Sequence, residues 1–124
     1  SSLPVLASMS FEAGGRTFTG CTVESFAATA RGLGADAVGI NCSSGPDQMG
    51  SVVRMMHRAA GDTPIAAKPN AGLPTITETG EAVYSMGPEA FVRHMQALKA
   101  SGAALLGGCC GTTPEFIAAM RSLK

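Results

Sequence analysis

Apolar residues in this chain fall into four short continuous runs, each followed by a longer segment with a different pattern. The runs span residues 4–11, 37–42, 64–70 and 104–110. They are apolar nearly throughout rather than at alternate positions, which is typical of parallel strands buried on both faces. The pattern therefore predicts four buried strands in one parallel sheet.

After each run, apolar side chains recur every three or four residues, as they do on one face of an amphipathic helix. Pro46, Pro88 and Pro114 stand where three of these helices are expected to begin, because proline is favoured in the first helical turn. Alternating strands and helices predict an α/β fold of four consecutive parallel β/α units. The four predicted buried faces are Val23, Phe26, Ala27, Ala30 and Leu33; Met49, Val52, Val53 and Met56; Phe91, Met95 and Leu98; and Phe116, Ile117, Met120 and Leu123.

Both a doubly wound sheet and a (β/α)8 barrel are built from such units, and both carry their chemistry at the carboxyl ends of the strands. In this chain the four strands end in the small or polar segments SMSFE, NCSSG, KPNAG and GGCCG. Four units are only half of a typical barrel, which has about 250 residues. Residues 1–124 are therefore interpreted as a single domain segment.

The charge balance limits the classes of partner, since nine Lys and Arg residues match nine Asp and Glu residues. A nucleic acid or an anionic membrane would call for a basic excess, so neither is expected as a partner. The apolar runs are also much shorter than a membrane span. Four irregularly spaced cysteines do not resemble a secreted disulfide framework, and a reducing cytoplasm is the expected location.

Three of the four cysteines lie at the ends of predicted strands. Cys42 ends the second strand, and the adjacent Cys109 and Cys110 end the fourth. Three thiolates without a fourth fixed cysteine fit a catalytic zinc site, in which one position stays open for substrate. Alternatively, the cysteines are small buried hydrophobic residues. Spacing alone leaves both interpretations open.

The segments GINCSSGPDQM, KPNAGLP and GGCCGTTPEFI resemble the signature segments of the homocysteine S-methyltransferase family. The resemblance covers essentially the whole chain. GRTFTG and PNAGLP favour the branch represented by the homocysteine-binding domain of cobalamin-dependent methionine synthase over the betaine-dependent branch. The resemblance implies that the chain forms the C-terminal half of a (β/α)8 barrel.

The same resemblance implies that Cys42, Cys109 and Cys110 bind a zinc ion, which then takes up the sulfur of homocysteine. Zinc deprotonates a bound thiol at neutral pH, and the resulting thiolate would accept the methyl group and give methionine. The implied donor is methylcobalamin. Separate domains that bind folate and cobalamin are the implied partners, together with the remaining half of the barrel or a second copy of the chain.

Two other functions stay open at this point. The first is a family member that uses betaine or S-methylmethionine as the methyl donor. The second is a zinc-binding fragment without catalytic activity.

Outside the three cysteines, Asn70 is a candidate fourth ligand or an outer hydrogen-bond donor at the site, the alternative being a turn residue. Cys21 is expected to be a free thiol, and Lys68 receives no role. His57 and His94 are predicted to lie on the outer helical surface. The long connection 72–86, which holds the only tyrosine of the chain, is interpreted as a lid, a docking surface or a simple hairpin.

Overall fold

The structure is a computed structural model that describes residues 2–123. None of the helices in this range has the length and apolar character needed to cross a membrane. The elements in chain order are β1 (Leu6–Met9), α1 (Val23–Gly32), β2 (Ala37–Asn41), α2 (Gly50–Ala60), β3 (Ile65–Lys68), β4 (Pro74–Ile76), β5 (Ala82–Tyr84), α3 (Pro88–Ala100), β6 (Leu105–Leu106), α4 (Pro114–Ala119) and a 3₁₀ turn (Met120–Ser122).

The strands β1, β2, β3 and β6 form one parallel sheet in that order. Because the spatial order follows the chain, each β/α unit places its strand next to the strand of the preceding unit. Their carboxyl ends therefore meet at one edge of the sheet. The predicted α/β fold of four consecutive parallel units is confirmed.

The hydrophobic core lies between the sheet and the helices. The predicted buried faces of α2 and α3 are confirmed, and their largest side chains, Met56, Phe91 and Met95, are fully buried. Two predicted core positions are wrong. Leu33 is 84% exposed because it lies just beyond the end of α1, and Ile117 is 49% exposed on the outer side of the short helix α4.

The observed strands are all shorter than the predicted apolar runs, and two boundaries differ most. The second helix begins at Gly50 rather than at Pro46, because residues 46–48 form a turn before it. The last strand is only Leu105–Leu106, since the chain then leaves the sheet and forms the loop that carries the paired cysteines.

Small residues line the face of the sheet opposite the helices. Ser8 stands next to Gly39, and Gly39 next to Ala66, in adjacent strands. A Cβ atom at Gly39 would lie 2.9 Å from the Cβ of Ala66 and 3.3 Å from that of Ser8. A side chain at position 39 would therefore have to displace its neighbours, and glycine is the residue that fits there.

The long connection between β3 and α3 contains a β-hairpin. Its strands β4 and β5 are antiparallel, with Thr75 opposite Val83. The Thr77 amide donates to the carbonyl oxygen of Glu81 at 2.8 Å and closes the turn. The predicted hairpin is therefore observed, and a lid or docking role, which a hairpin does not exclude, stays a prediction.

Candidate metal centre

The sulfur atoms of Cys42, Cys109 and Cys110 lie together at the carboxyl edge of the sheet. All three are within 4.8 Å of one another. The Cys110 sulfur is 3.8 Å from that of Cys42 and 3.9 Å from that of Cys109. Cys42 and Cys109 are joined by a disulfide and have Cα atoms 5.6 Å apart. The structure thus brings together the three cysteines that the sequence singled out.

The residues that follow β3 hydrogen-bond to the loop that carries Cys109 and Cys110. The amide of Cys109 donates to the carbonyl oxygen of Pro69 at 2.9 Å. The amide of Cys110 donates to Oδ1 of Asn70 at 3.2 Å, and the amide of Ala71 donates to the Cys110 carbonyl oxygen at 2.9 Å. These hydrogen bonds continue the contact between β3 and β6 beyond the end of β6. Residues 69–71 therefore determine where Cys109 and Cys110 lie.

The loop of Cys42 is tied to the same segment. The Cys42 amide donates to the carbonyl oxygen of Lys68, and the Asn70 amide donates to that of Ser44, both at 3.1 Å. Cys42 and Ser43 adopt left-handed backbone conformations, with φ angles of 56° and 62°. These values are uncommon for residues other than glycine, and they turn the chain sharply at the end of β2.

Asn70 therefore bonds to both cysteine loops, through its backbone amide on one side and its side-chain oxygen on the other. It is 7% exposed. Its Oδ1 accepts a hydrogen bond from the Cys110 amide, so its side chain acts here as an acceptor rather than as the expected donor, and its role at a metal site stays a prediction.

The cluster is chemically suited to a zinc ion. Thiolates are soft ligands that favour zinc, and two sulfurs bound to a tetrahedral zinc at about 2.3 Å are about 3.8 Å apart. The two separations from the Cys110 sulfur, 3.8 and 3.9 Å, agree with that value. A zinc ion held by all three cysteines would need each of them as a thiolate, so it would exclude the disulfide.

Tyr84 lies beside the cluster, a contact that the sequence pattern did not predict. Its ring lies against Gly111, the residue that follows Cys110, where a Cβ atom would overlap it. Partial burial raises the pKa of Tyr84, and the interaction with the nearby Cys110 thiol raises it further. The only available sequence signal was the single tyrosine in the inserted hairpin.

The remaining candidate residues lie apart from the thiols or have no role in the cluster. Cys21 is a half-buried free thiol in the first loop and is not part of the cluster. His57 is exposed on α2, and His94 is half-buried on α3, so both belong to the outer helical layer as predicted. Lys68 is half-buried, with the stem of its side chain close to Gly107.

The sequence and fold of the chain were compared with those of known proteins. The family profile described as homocysteine S-methyltransferase matches residues 1–123. The chain belongs to the homocysteine S-methyltransferase family.

Methionine synthases are among its relatives. The chain is 35% identical to the methionine synthase of Mycobacterium tuberculosis over 98% of its own length, and 34% identical to that of Mycobacterium leprae over 93%. It spans about a tenth of the length of either relative, because each match covers 10% of the longer protein.

A solved structure supports the fold of this family member. The homocysteine methyltransferase MmuM from Escherichia coli, in its apo form, matches with a TM-score of 0.74 and 23% sequence identity. The match covers 98% of this chain and 40% of MmuM. The architecture of this chain is therefore found within a larger homocysteine methyltransferase.

Replacing Asn70 tests whether it holds the two cysteine loops together. We expect Asn70→Ala to lower the free energy of unfolding by about 1–3 kcal/mol, because the Cys110 amide loses its acceptor. Asn41→Ala is the matched control, since Asn41 is less buried and its side chain makes only a long 3.4 Å bond to Ser10. Denaturant titrations measure both, and equal losses would contradict the role of Asn70.

Proposed function

We propose that this chain supplies the thiol-bearing half of an enzyme that transfers a methyl group to the sulfur of homocysteine and forms methionine. The observation that carries the proposal is the convergence of three cysteine sulfurs within 4.8 Å in a member of this family. The relatives named methionine synthase support the same product.

The proposed cofactor is a zinc ion held by Cys42, Cys109 and Cys110. When bound, the ion would supply positive charge that keeps a substrate thiol deprotonated at neutral pH. Asn70 orients the backbone of Cys110, and the exposed side of Cys110 leaves the cluster accessible to a substrate. The cysteines must be reduced for this role, which favours a reducing compartment such as the cytoplasm.

In the proposed reaction, the thiolate of homocysteine attacks the methyl carbon of the donor. The new sulfur–carbon bond forms as the methyl group leaves the donor, which keeps the bonding electrons. Methylcobalamin is the proposed donor, supported by the GRTFTG and PNAGLP segments and by the methionine synthase relatives. A donor of the betaine or S-methylmethionine type, and a zinc-binding segment without activity, are the two competing functions.

We also propose that the chain is half of a (β/α)8 barrel. The match to 40% of MmuM supports this, and so do apolar grooves beside both outer strands of the sheet. These grooves are suited to the β/α units that would adjoin each edge in a closed barrel. The groove near β1 includes Val5, Phe26 and Leu33, and the groove near β6 includes Leu106, Ile117 and Met120.

The proposed partners follow from this arrangement. They are homocysteine, the remaining half of the barrel or a second copy of the chain, and domains that carry folate and cobalamin. Groups that bind the amino and carboxylate groups of homocysteine are expected in part from the other half.

The first prediction concerns zinc. Under reducing conditions the protein should bind one zinc ion, and alanine at Cys42, Cys109 or Cys110 should abolish tight binding because a three-thiolate site loses a ligand. Cys21→Ala is the matched control and should bind zinc normally. Metal analysis after dialysis provides the measurement. Full occupancy in both the Cys109→Ala and the Cys110→Ala variants would eliminate this site.

The second prediction concerns the methyl donor. The protein, with its barrel complete, should form methionine from homocysteine and methylcobalamin faster than from betaine or S-methylmethionine. Cys42→Ala should reduce this rate to the background level. Product analysis by mass spectrometry distinguishes the three donors. Turnover with betaine alone would show that the chain belongs to a betaine-dependent enzyme. Zinc binding without turnover would favour the non-catalytic function.

The third prediction concerns the half-barrel. The isolated 124-residue chain should associate or aggregate, because β1 and β6 each leave one edge unpaired. Sedimentation measures its mass, and hydrogen exchange compares outer strand amides with those of β2 and β3. A compact monomer with protected outer amides would contradict the half-barrel, whereas a discrete dimer would favour pairing of two copies.

A further inference from the structure

The face of the sheet opposite the helices ends in a polar row next to the cysteine loops. Asn41 and Lys68 stand beside each other at the ends of β2 and β3. Each lies two residues beyond a small residue of that face, Gly39 or Ala66, and side chains alternate along a strand, so they share the face. Ser10 extends the row, because the side-chain amide of Asn41 donates to its hydroxyl oxygen at 3.4 Å. The row thus offers a hydroxyl, an amide and an ammonium group.

Lys68 is the one charged residue in the described strands of the parallel sheet. It is half-buried, and its ammonium group has no hydrogen bond or ion pair with any residue from 2 to 123. A Cβ atom at Gly107 would lie 3.1 Å from Cγ of Lys68, so the stem of the lysine crosses the backbone where glycine leaves room. A charge that is partly withdrawn from water needs a counter-charge. The described part of the chain does not supply one.

Lys68 adjoins both cysteine loops. The Cys42 amide donates to the Lys68 carbonyl oxygen at 3.1 Å, and Gly107 lies two residues before Cys109. In homocysteine, four bonds separate the sulfur from the carboxylate carbon, which is about 5 Å in an extended chain. A lysine side chain places its ammonium group about 6 Å from its Cα atom, and neighbouring strands are about 4.8 Å apart. A carboxylate attached to a sulfur at the cluster is therefore within reach of Lys68.

We propose that Lys68 binds the carboxylate of the thiol substrate. This inference rests on the proposed function and adds to it the group that recognises the amino-acid part of homocysteine. A carboxylate from the remaining half of the barrel is the competing partner. The substrate is favoured because Lys68 ends its strand, and side chains at the carboxyl ends of barrel strands are the ones that contact substrates.

Lys68→Met tests the charge, because methionine keeps an unbranched stem over Gly107. The two ligands are homocysteine and 3-aminopropane-1-thiol, which is homocysteine without its carboxylate. With the barrel complete, we expect Lys68→Met to bind homocysteine about 10–100-fold more weakly, as expected for the loss of a hydrogen bond between charged groups. Binding of the aminothiol should not change. Calorimetric titration measures both affinities. In turnover, KM for homocysteine should rise while kcat stays the same, since the carboxylate takes no part in the bond changes.

Two further variants complete the test. Arg58→Met is the matched control, because it removes a positive charge from the exposed surface of α2 and should leave both affinities unchanged. Lys68→Gln is neutral like Lys68→Met but shorter, and it should lose the preference for homocysteine to a similar extent. Thermal unfolding checks that each variant is folded.

The outcomes separate this inference from the proposed function. An unaltered protein that binds neither thiol and forms no methionine would overturn the proposed function, and the role of Lys68 with it. If the unaltered protein binds homocysteine and both Lys68 variants keep its preference over the aminothiol, only the role of Lys68 is overturned. Equal weakening of both thiols in Lys68→Met, with a lower unfolding temperature, would also overturn it and would indicate pairing with the other half of the barrel.

Discussion

The candidate site depends on one short segment, residues 69–71, which runs between two cysteine loops and hydrogen-bonds to both. Cys42 and Cys109 are 67 residues apart in the chain, so their meeting carries a loop-closure cost that the fold must offset. The parallel sheet does so by ending β2, β3 and β6 at one edge. The bonds of Asn70 to Ser44 and to Cys110 then fix the loops to each other.

Backbone strain is concentrated at the same edge. A left-handed conformation outside glycine costs about 1–3 kcal/mol, and Cys42 and Ser43 adopt it in succession. Neither residue type favours this conformation on its own, so the surrounding hydrogen bonds must enforce it. Strain that persists in this way is typical of functional sites, and here it turns the chain so that the Cys42 sulfur meets those of Cys109 and Cys110.

The sequence pattern was sufficient to predict the strands, the helices and the sheet edge that the cysteines share, because these depend on local periodicity. Continuous apolar runs predicted the four strands, and their parallel arrangement predicted that Cys42, Cys109 and Cys110 share one edge. The predicted burial holds for β2 and β3 but is wrong for the outer strands β1 and β6, which each have a strand neighbour on one side only. The pattern could not predict the Tyr84 contact, because it depends on how the hairpin folds back over the sheet. It also misplaced Leu33 and the start of α2, since a helix boundary is decided by where the chain must turn, which Pro46 alone does not determine.

The contacts around Cys110 explain how one cluster accommodates two chemical states. The disulfide uses the sulfurs of Cys42 and Cys109, whereas the backbone of Cys110 is held by Asn70 and Ala71. None of the contacts to Cys110 requires the disulfide. Reduction would therefore release two thiols next to a third that is already in place, and the three-thiol arrangement would form without rearrangement of the sheet edge.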